Sequence, residues 1–336
     1  MYQIIEKRNI WLSLSGLMVG LSILALIIWG FNFGIDFTGG SLLEVEFKEA
    51  RPTVADVQST IIDLNLSSLI VQPVGERGMI LRFQETSEEK HQEVLAKLNE
   101  LAVEKAKLYN LGEEETSMSG EAQKEKATGT AEEQIEEEEG SENQILEELR
   151  FDSVGPTIGQ ELKRKSVNAI ALVLVAIVLY IAWVFRKVSK PVASWKYGIS
   201  AIIALFHDVI ITIGIFVVLG KFFNVEINTP FVAAILTVLG YSVNDTIVVF
   251  DRIRENLPRS DEDFAGTVNS SVNQTIKRSV NTSLTTLLVL ISILFFGGST
   301  IRDFVLALSI GVFIGTYSSI FLASPILVIW EKLKRS

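Results

Sequence analysis

Asp245 and Asn244 occupy the position in this sequence that most calls for chemistry. They lie in Gly240–Asn256, GYSVNDTIVVFDRIREN, inside an apolar run long enough to cross a membrane. An Asp at the bilayer centre costs about 2.5–3.5 kcal/mol on insertion scales, so it faces a bundle interior, takes a partner and marks an ion or proton path. His207 and Asp208 stand near the middle of a second apolar run. Burial and a neighbouring cation tune such groups in opposite senses, which suits the loading and release of protons. Arg278, Asn281, Thr282 and Thr285 follow an i, i+3, i+4, i+7 spacing that places them on one helical face. That polar stripe is ill suited to lipid, and Arg278 is the cation expected to pair with Asp245. A structural reading stands beside each: a hydrogen-bonded Asp245, a satisfied His207–Asp208 pair, and an Arg278 that snorkels to the interface and serves only topology.

The elements that must position these groups are membrane spans. The 336 residues are 48% hydrophobic, with a mean hydropathy of +0.36, and the apolar residues come in long blocks. The net charge of -10 is local, because Gly112–Asn143 alone holds 12 Glu against 2 Lys. The absence of Cys excludes disulfides and thiolate metal sites, and His91 and His207 alone cannot form a histidine-rich one. Runs at Ile10–Gly30, Val167–Val184, Tyr197–Leu219, Pro230–Phe250, Val280–Phe296 and Phe304–Trp330 each approach the length that a bilayer of roughly 30 Å requires. The first lacks an Ala-x-Ala cleavage site and reads as an uncleaved anchor. Lys and Arg fall mostly on the N-terminal side: Arg186, Lys187, Lys190 and Lys196; then Arg252, Arg254, Arg259, Lys277 and Arg278; then Lys332, Lys334 and Arg335. The positive-inside rule therefore places both termini in the cytoplasm. Lys163, Arg164 and Lys165 break the pattern at the end of a long loop, where the rule is weak.

Between spans one and two the period changes to that of a small soluble domain. Leu43, Val45 and Phe47 alternate with Glu44, Glu46 and Lys48, which predicts a half-buried strand. Thr53 caps a helix to about Asn65 with Val54, Val57, Ile61 and Leu64 inward. Strands at Leu69–Val74 and Met79–Phe83 form a hairpin around Gly75–Gly78; a helix at Glu88–Leu108 and a strand at Leu146–Val154 complete β-α-β-β-α-β. The acidic segment 112–143 reads as a solvated, disordered or loosely helical insertion. The expected fold is thus a polytopic α-helical membrane protein of six transmembrane helices with a small α+β ferredoxin-like extracytoplasmic domain between helices one and two. Its divisions are 1–33 for the first span, 34–165 for the outer domain and 166–336 for a five-helix bundle.

Two glycine-bearing turns bracket the outer domain, Gly34–Gly40 (GIDFTGG) and Val154–Leu162 (VGPTIGQEL). Both read as hinges, Asp36 bonding its own backbone, and neither has the spacing of a phosphate cradle. In span six Ala307, Gly311, Gly315, Ser319 and Ala323 recur every four residues, a small-residue ridge for close helix packing, and Pro325 is expected to kink the helix.

These motifs together resemble the SecF members of the SecD/SecF protein-export family, which is related to the RND transporters. The resemblance rests on FGIDFTGG at Phe33–Gly40, VGPTIGQEL, the His207–Asp208 pair, GYSVNDTIVVFDRIREN, SVNQTIKRSVNTSLTTLL at Ser271–Leu288, and FGG with GTYSSIF near the end. The acidic insertion departs from the family pattern. The resemblance implies a non-enzymatic accessory subunit of the Sec preprotein translocase in the cell (inner) membrane. It would be paired with SecD, act with the SecYEG channel on a translocating preprotein, and draw on the proton-motive force. It further implies Asp245 and Arg278 as proton-path residues, with Asn244, His207 and Asp208 beside them, and Asp36, Gly39 and Gly40 as a coupling turn. Protons are the coupling ion and no other cofactor is implied; membrane lipid surrounds the bundle and nucleic acid is not a partner. A proton-coupled small-solute transporter is the alternative, although no internal repeat of broken helices is visible. An intramembrane aspartyl protease built on Asp208 and Asp245 fits poorly, since Ser-Val-Asn precedes Asp245.

Overall fold

The computed structural model describes residues 2–49, 51–117, 145–186 and 193–335. In chain order its elements are α1 (Arg8–Trp29), α2 (Ile35–Thr38), β1 (Gly40–Phe47), α3 (Val54–Thr60), β2 (Ile70–Val74), β3 (Gly78–Phe83), α4 (Glu88–Ser117) and β4 (Leu146–Val154). There follow α5 (Pro156–Val184), α6 (Ser194–Phe223), α7 (Thr229–Asn256), α8 (Phe264–Phe296), α9 (Ser299–Ser318), a π-helical turn (Ser319–Ala323) and α10 (Ser324–Arg335). They form two compact units, one of Met1–Phe37 with Glu161–Ser336 and one of Thr38–Gln160.

The smaller unit has the β-α-β-β-α-β order of the ferredoxin-like fold, its four antiparallel strands lying in the order β2-β3-β1-β4. Leu43, Val45, Met79 and Leu81 pack with Val57, Ile61, Val94 and Leu98 to form its core. Helix α3 opens on a capping box: Thr53 accepts from the Asp56 N–H at 3.2 Å, and the Asp56 carboxylate accepts from the Thr53 N–H at 3.1 Å. The helix stops short of the expected Asn65, passing into a 3-10 turn at Ile62–Leu64 that Asn65 closes in the left-handed region at φ 49°. Glu44, expected on an exposed face, is buried, because its central strand sets it opposite Ile80 of β3 and Arg150 of β4. His91 of α4 is also buried; it stacks on Phe151 at 3.7 Å and bonds Glu88 at 3.0 Å, tying α4 to β4. Helix α4 outruns Leu108 and enters the acidic insertion, of which residues 118–143 lie outside the described ones.

Glycine is required where the smaller unit begins. Gly39 and Gly40 hold φ of 76° and 123°, and a Cβ on Gly39 would meet the Pro156 Cα at 2.8 Å. The two predicted turns therefore lie against each other. The second is not a free hinge: Pro156 starts α5, so VGPTIGQEL is the end of a strand followed by the first turns of a helix.

Among the described residues, six helices are long and apolar enough to cross a membrane: α1, α5, α6, α7, α8 and the run from α9 through α10. Two start well ahead of their apolar runs, α8 at Phe264 and α5 at Pro156. Helix α8 starts at Phe264, capped by Asp263, because its first half is amphipathic: Thr267, Val268, Ser271, Val272 and Thr275 are buried there, a pattern that mean hydropathy overlooks. Helix α5 starts before its apolar run, and span six carries the π turn immediately ahead of Pro325. Proline has no N–H to give the carbonyl four residues back and crowds it, which the wider turn relieves. The small ridge of α9 packs against α7: a Cβ on Gly311 would lie 2.2 Å from Val238 Cγ2, and one on Gly315 would lie 3.0 Å from Ser242 Cβ. Gly214 of α6 receives Ser22 of α1 in the same way, at 2.3 Å.

Gly311→Ala is therefore expected to lower the thermal stability of the detergent-solubilised protein by about 1–3 kcal/mol, the usual cost of overpacking, and Val238→Ala on that background is expected to recover most of it. In the smaller unit, Asp56 is held below the usual carboxylate range by hydrogen bonds from Lys105 and Thr53. A depressed carboxyl contributes stability above its unfolded value of about 3.9 and loses it as pH falls further. The acid limb of unfolding below about pH 4 is thus expected to flatten in Asp56→Asn, with the neutral region unshifted in slope.

Candidate functional site

Where α6, α7, α8 and α9 meet, two carboxylates sit among hydroxyl groups. Asp208 is fully buried: its Oδ1 bonds His207 Nδ1 at 2.9 Å, and its Oδ2 accepts from Ser242 at 2.5 Å and from Ser318 at 2.8 Å. Asp245 is partly buried: its Oδ1 accepts from Ser279 at 2.5 Å and its Oδ2 from Ser319 at 2.5 Å. A third hydroxyl layer lies one turn away on the same three helices, where Ser283 bonds Tyr241 at 3.0 Å and Thr316 at 2.5 Å. Each set joins three different helices, so all depend on tertiary packing.

The helical period explains which side chains take part. Serines 279 and 283 continue the buried four-residue row of Thr267, Ser271 and Thr275 along α8. Arg278 is one residue and about 100° away from Ser279, and it is exposed, as are Asn281, Thr282 and Thr285. Both Asp245 oxygens are taken by serines, and among the described residues no ion pair joins Arg278 to Asp245. The predicted polar stripe therefore borders the buried polar face and looks outward. Asn244 is exposed for the same reason, being a residue removed from Asp245 on α7. His207 is buried beside Asp208, its ring 6.1 Å from that of Tyr317, and its Nε2 has no hydrogen-bond partner among the described residues.

Asp36 lies elsewhere and does something the sequence did not suggest. Instead of closing its own turn, its Oδ2 accepts from the Thr229 N–H at 2.8 Å, satisfying a free donor in the first turn of α7. Gly34 N–H donates to Ile227 O at 2.9 Å and Ile227 N–H to Asn32 O at 2.8 Å, so the end of α1 is zipped to the start of α7. Helix α7 then runs about 24 Å, at 1.5 Å per residue, from Thr229 to Asp245.

The hydroxyl partners Ser242, Ser279, Ser283, Thr316 and Ser318 escaped the sequence reading. Serine and threonine do not depress hydropathy enough to stand out, yet the four-residue row along α8 was visible as a pattern. Ser319 entered only as a small packing residue; here it both packs and donates to Asp245.

Comparison with known proteins agrees with this architecture. A family described as "Protein export membrane protein SecD/SecF, C-terminal" matches residues 134–333, and the "SecD/SecF GG Motif" matches residues 25–50. "Protein translocase subunit SecF" of Thermobaculum terrenum is 43% identical over 98% of this chain and 94% of its own length. That of Magnetococcus marinus is 39% identical over 98% and 92%. The crystal structure of SecDF from Thermus thermophilus, titled a translocon-associated membrane protein, superposes with a TM-score of 0.73 at 31% identity. It is matched over 98% of this chain, which spans 39% of that longer one. Six apolar helices, a ferredoxin-like domain between the first two, the GG turn and near full-length identity to SecF proteins converge: the chain belongs to the SecD/SecF family of protein-export membrane proteins, as a multi-pass translocase subunit of the SecF type.

Proposed function

We propose that this subunit couples the proton-motive force to protein export by loading and releasing a proton at Asp245. The observation that carries the reading is the carboxylate itself, at membrane depth, held by one hydroxyl from α8 and one from the π turn. An ionised carboxylate only accepts hydrogen bonds, whereas a protonated one must also donate. Proton uptake therefore adds a donor that needs an acceptor, which a serine on either neighbouring helix supplies by reversing its bond, and so alters packing where three helices meet. One charge crossing 100 mV supplies about 2.3 kcal/mol, comparable with the hydrogen bonds being exchanged.

The Asp36 bond to the head of α7 supports transmission outward, because α7 carries Asp245 and its first turn is tied to the GG turn. The outward-looking Arg278, Asn281, Thr282 and Thr285 support a membrane partner: such groups are costly against lipid and are suited to a helix bearing its own polar residues. We assign that partner as SecD, with the SecYEG channel and the emerging preprotein as further contacts. The Lys and Arg distribution supports an inner-membrane orientation with both termini cytoplasmic. The reading assigns no catalytic step and no cofactor beyond the proton.

In vesicles carrying this chain, its SecD-type partner and the channel, Asp245→Asn is expected to abolish stimulation of export by an imposed proton gradient while leaving gradient-independent export unchanged. Full stimulation by that variant, or gradient-driven solute uptake by the purified chain alone, would reject the proposal. Thr282→Cys is expected to cross-link to the partner subunit in native membranes, and labelling by lipid-phase reagents only would remove that face from the interface.

A further inference from the structure

Building on the Asp245 reading, we infer that Asp208 is a positioning residue for Asp245 and not a station on the proton's route, acting through the adjacent serines 318 and 319 where α9 enters the π turn. The two carboxylates share no hydroxyl: Asp208 holds Ser242 and Ser318, and Asp245 holds Ser279 and Ser319. No chain of side-chain hydrogen bonds joins the two sets among the described residues. Their connection runs through the backbone, where Gly315 O accepts from both the Ser318 hydroxyl and the Ser319 N–H. Ser318 and Ser319 are neighbours along one strand of backbone, and Ser242 stands three residues before Asp245 on one face of α7.

Each of the paired serines has a competing acceptor in its own helix. Ser318 Oγ lies 3.1 Å from Gly315 O, and Ser319 Oγ lies 3.0 Å from Thr316 O. Serines of this kind divide their hydrogen bond between the local carbonyl and a tertiary acceptor, and the choice bends the helix. Asp208, fully buried and accepting from α6, α7 and α9 together, draws Ser318 away from the backbone. It thereby fixes the orientation of the 318–319 peptide and of the Ser319 hydroxyl aimed at Asp245. Two consecutive residues about 100° apart around the helix reach two different carboxylates, which the π turn beginning at Ser319 accommodates.

The test uses the full chain with its partner subunit in liposomes and compares Ser318→Ala, Ser319→Ala and the double variant by infrared difference spectroscopy. The Asp245 carboxyl C=O band is identified by its loss in Asp245→Asn. A hydrogen bond accepted by a C=O lowers its stretching frequency. Ser319→Ala is expected to raise the band, Ser318→Ala to raise it by part of the same amount although Ser318 does not touch Asp245, and the double variant to match Ser319→Ala. Proton-driven stimulation is expected to fall about fivefold in Ser318→Ala, the factor equivalent to one ordinary hydrogen bond. A band left in place by Ser318→Ala but moved by Ser319→Ala overturns the inference, as does a double variant whose shift is the sum of the two. Each substitution deletes a single oxygen, so the comparison does not depend on a variant that fails to fold. If Asp245→Asn retains full stimulation the proton reading fails by itself, while the band positions still decide the coupling.

Discussion

A carboxylate inside a membrane bundle must be satisfied by hydrogen bonds, and in this protein the requirement at Asp245 and Asp208 governs how four helices meet. Serine is the residue that answers it with least disturbance: a hydroxyl donor on a small side chain lets helices approach closely and still reach an anion. The α9 ridge shows both demands met at once. Gly311 and Gly315 admit α7 to van der Waals distance, and Ser318 and Ser319, one turn on, hold the two carboxylates. Close packing and polar satisfaction share one ridge here: its glycines admit α7 and its Ser319 holds Asp245.

Around this polar layer the bundle is apolar. Phe216, Phe231, Ala234 and Ala307 form a cluster near the start of α7, and Tyr197, Phe250, Val268 and Leu327 form another toward its end. The bundle thus has well-packed apolar regions and a polar zone whose bonds can exchange without exposing a large apolar surface. The zipper from Asn32–Asp36 to Val225–Thr229 fixes the head of α7 to the segment that follows α1.

Membership of the SecD/SecF family and the six-helix architecture were legible in the sequence because long apolar runs and a change to short-period alternation are one-dimensional signals. Strands β2, β3 and β4 of the smaller unit were placed to within one residue for the same reason, whereas β1 begins at Gly40, three residues before the expected Leu43. Boundaries failed where a helix is amphipathic, as in the first half of α8, or where it outruns its apolar stretch, as at Pro156. Asp245, Asp208 and His207 stand out in the sequence because a titratable group in an apolar run is conspicuous. Their partners do not, since a serine in such a run is inconspicuous until another helix presents a carboxylate to it.

Sequence by itself determined the number of apolar runs long enough to cross a membrane, the charges between them, the ferredoxin-like order and the carboxylates within those runs. All of these follow from composition and local period. Only the tertiary structure decided which polar residues meet. A rotation of one residue, about 100° on α8, separates Arg278 on the outer surface from Ser279 against Asp245, and no local signal sets that angle. It is set by how α7, α8 and α9 pack, and the same packing decides that Asp36 bonds the head of α7 and that Asp208 and Asp245 are held by two consecutive serines.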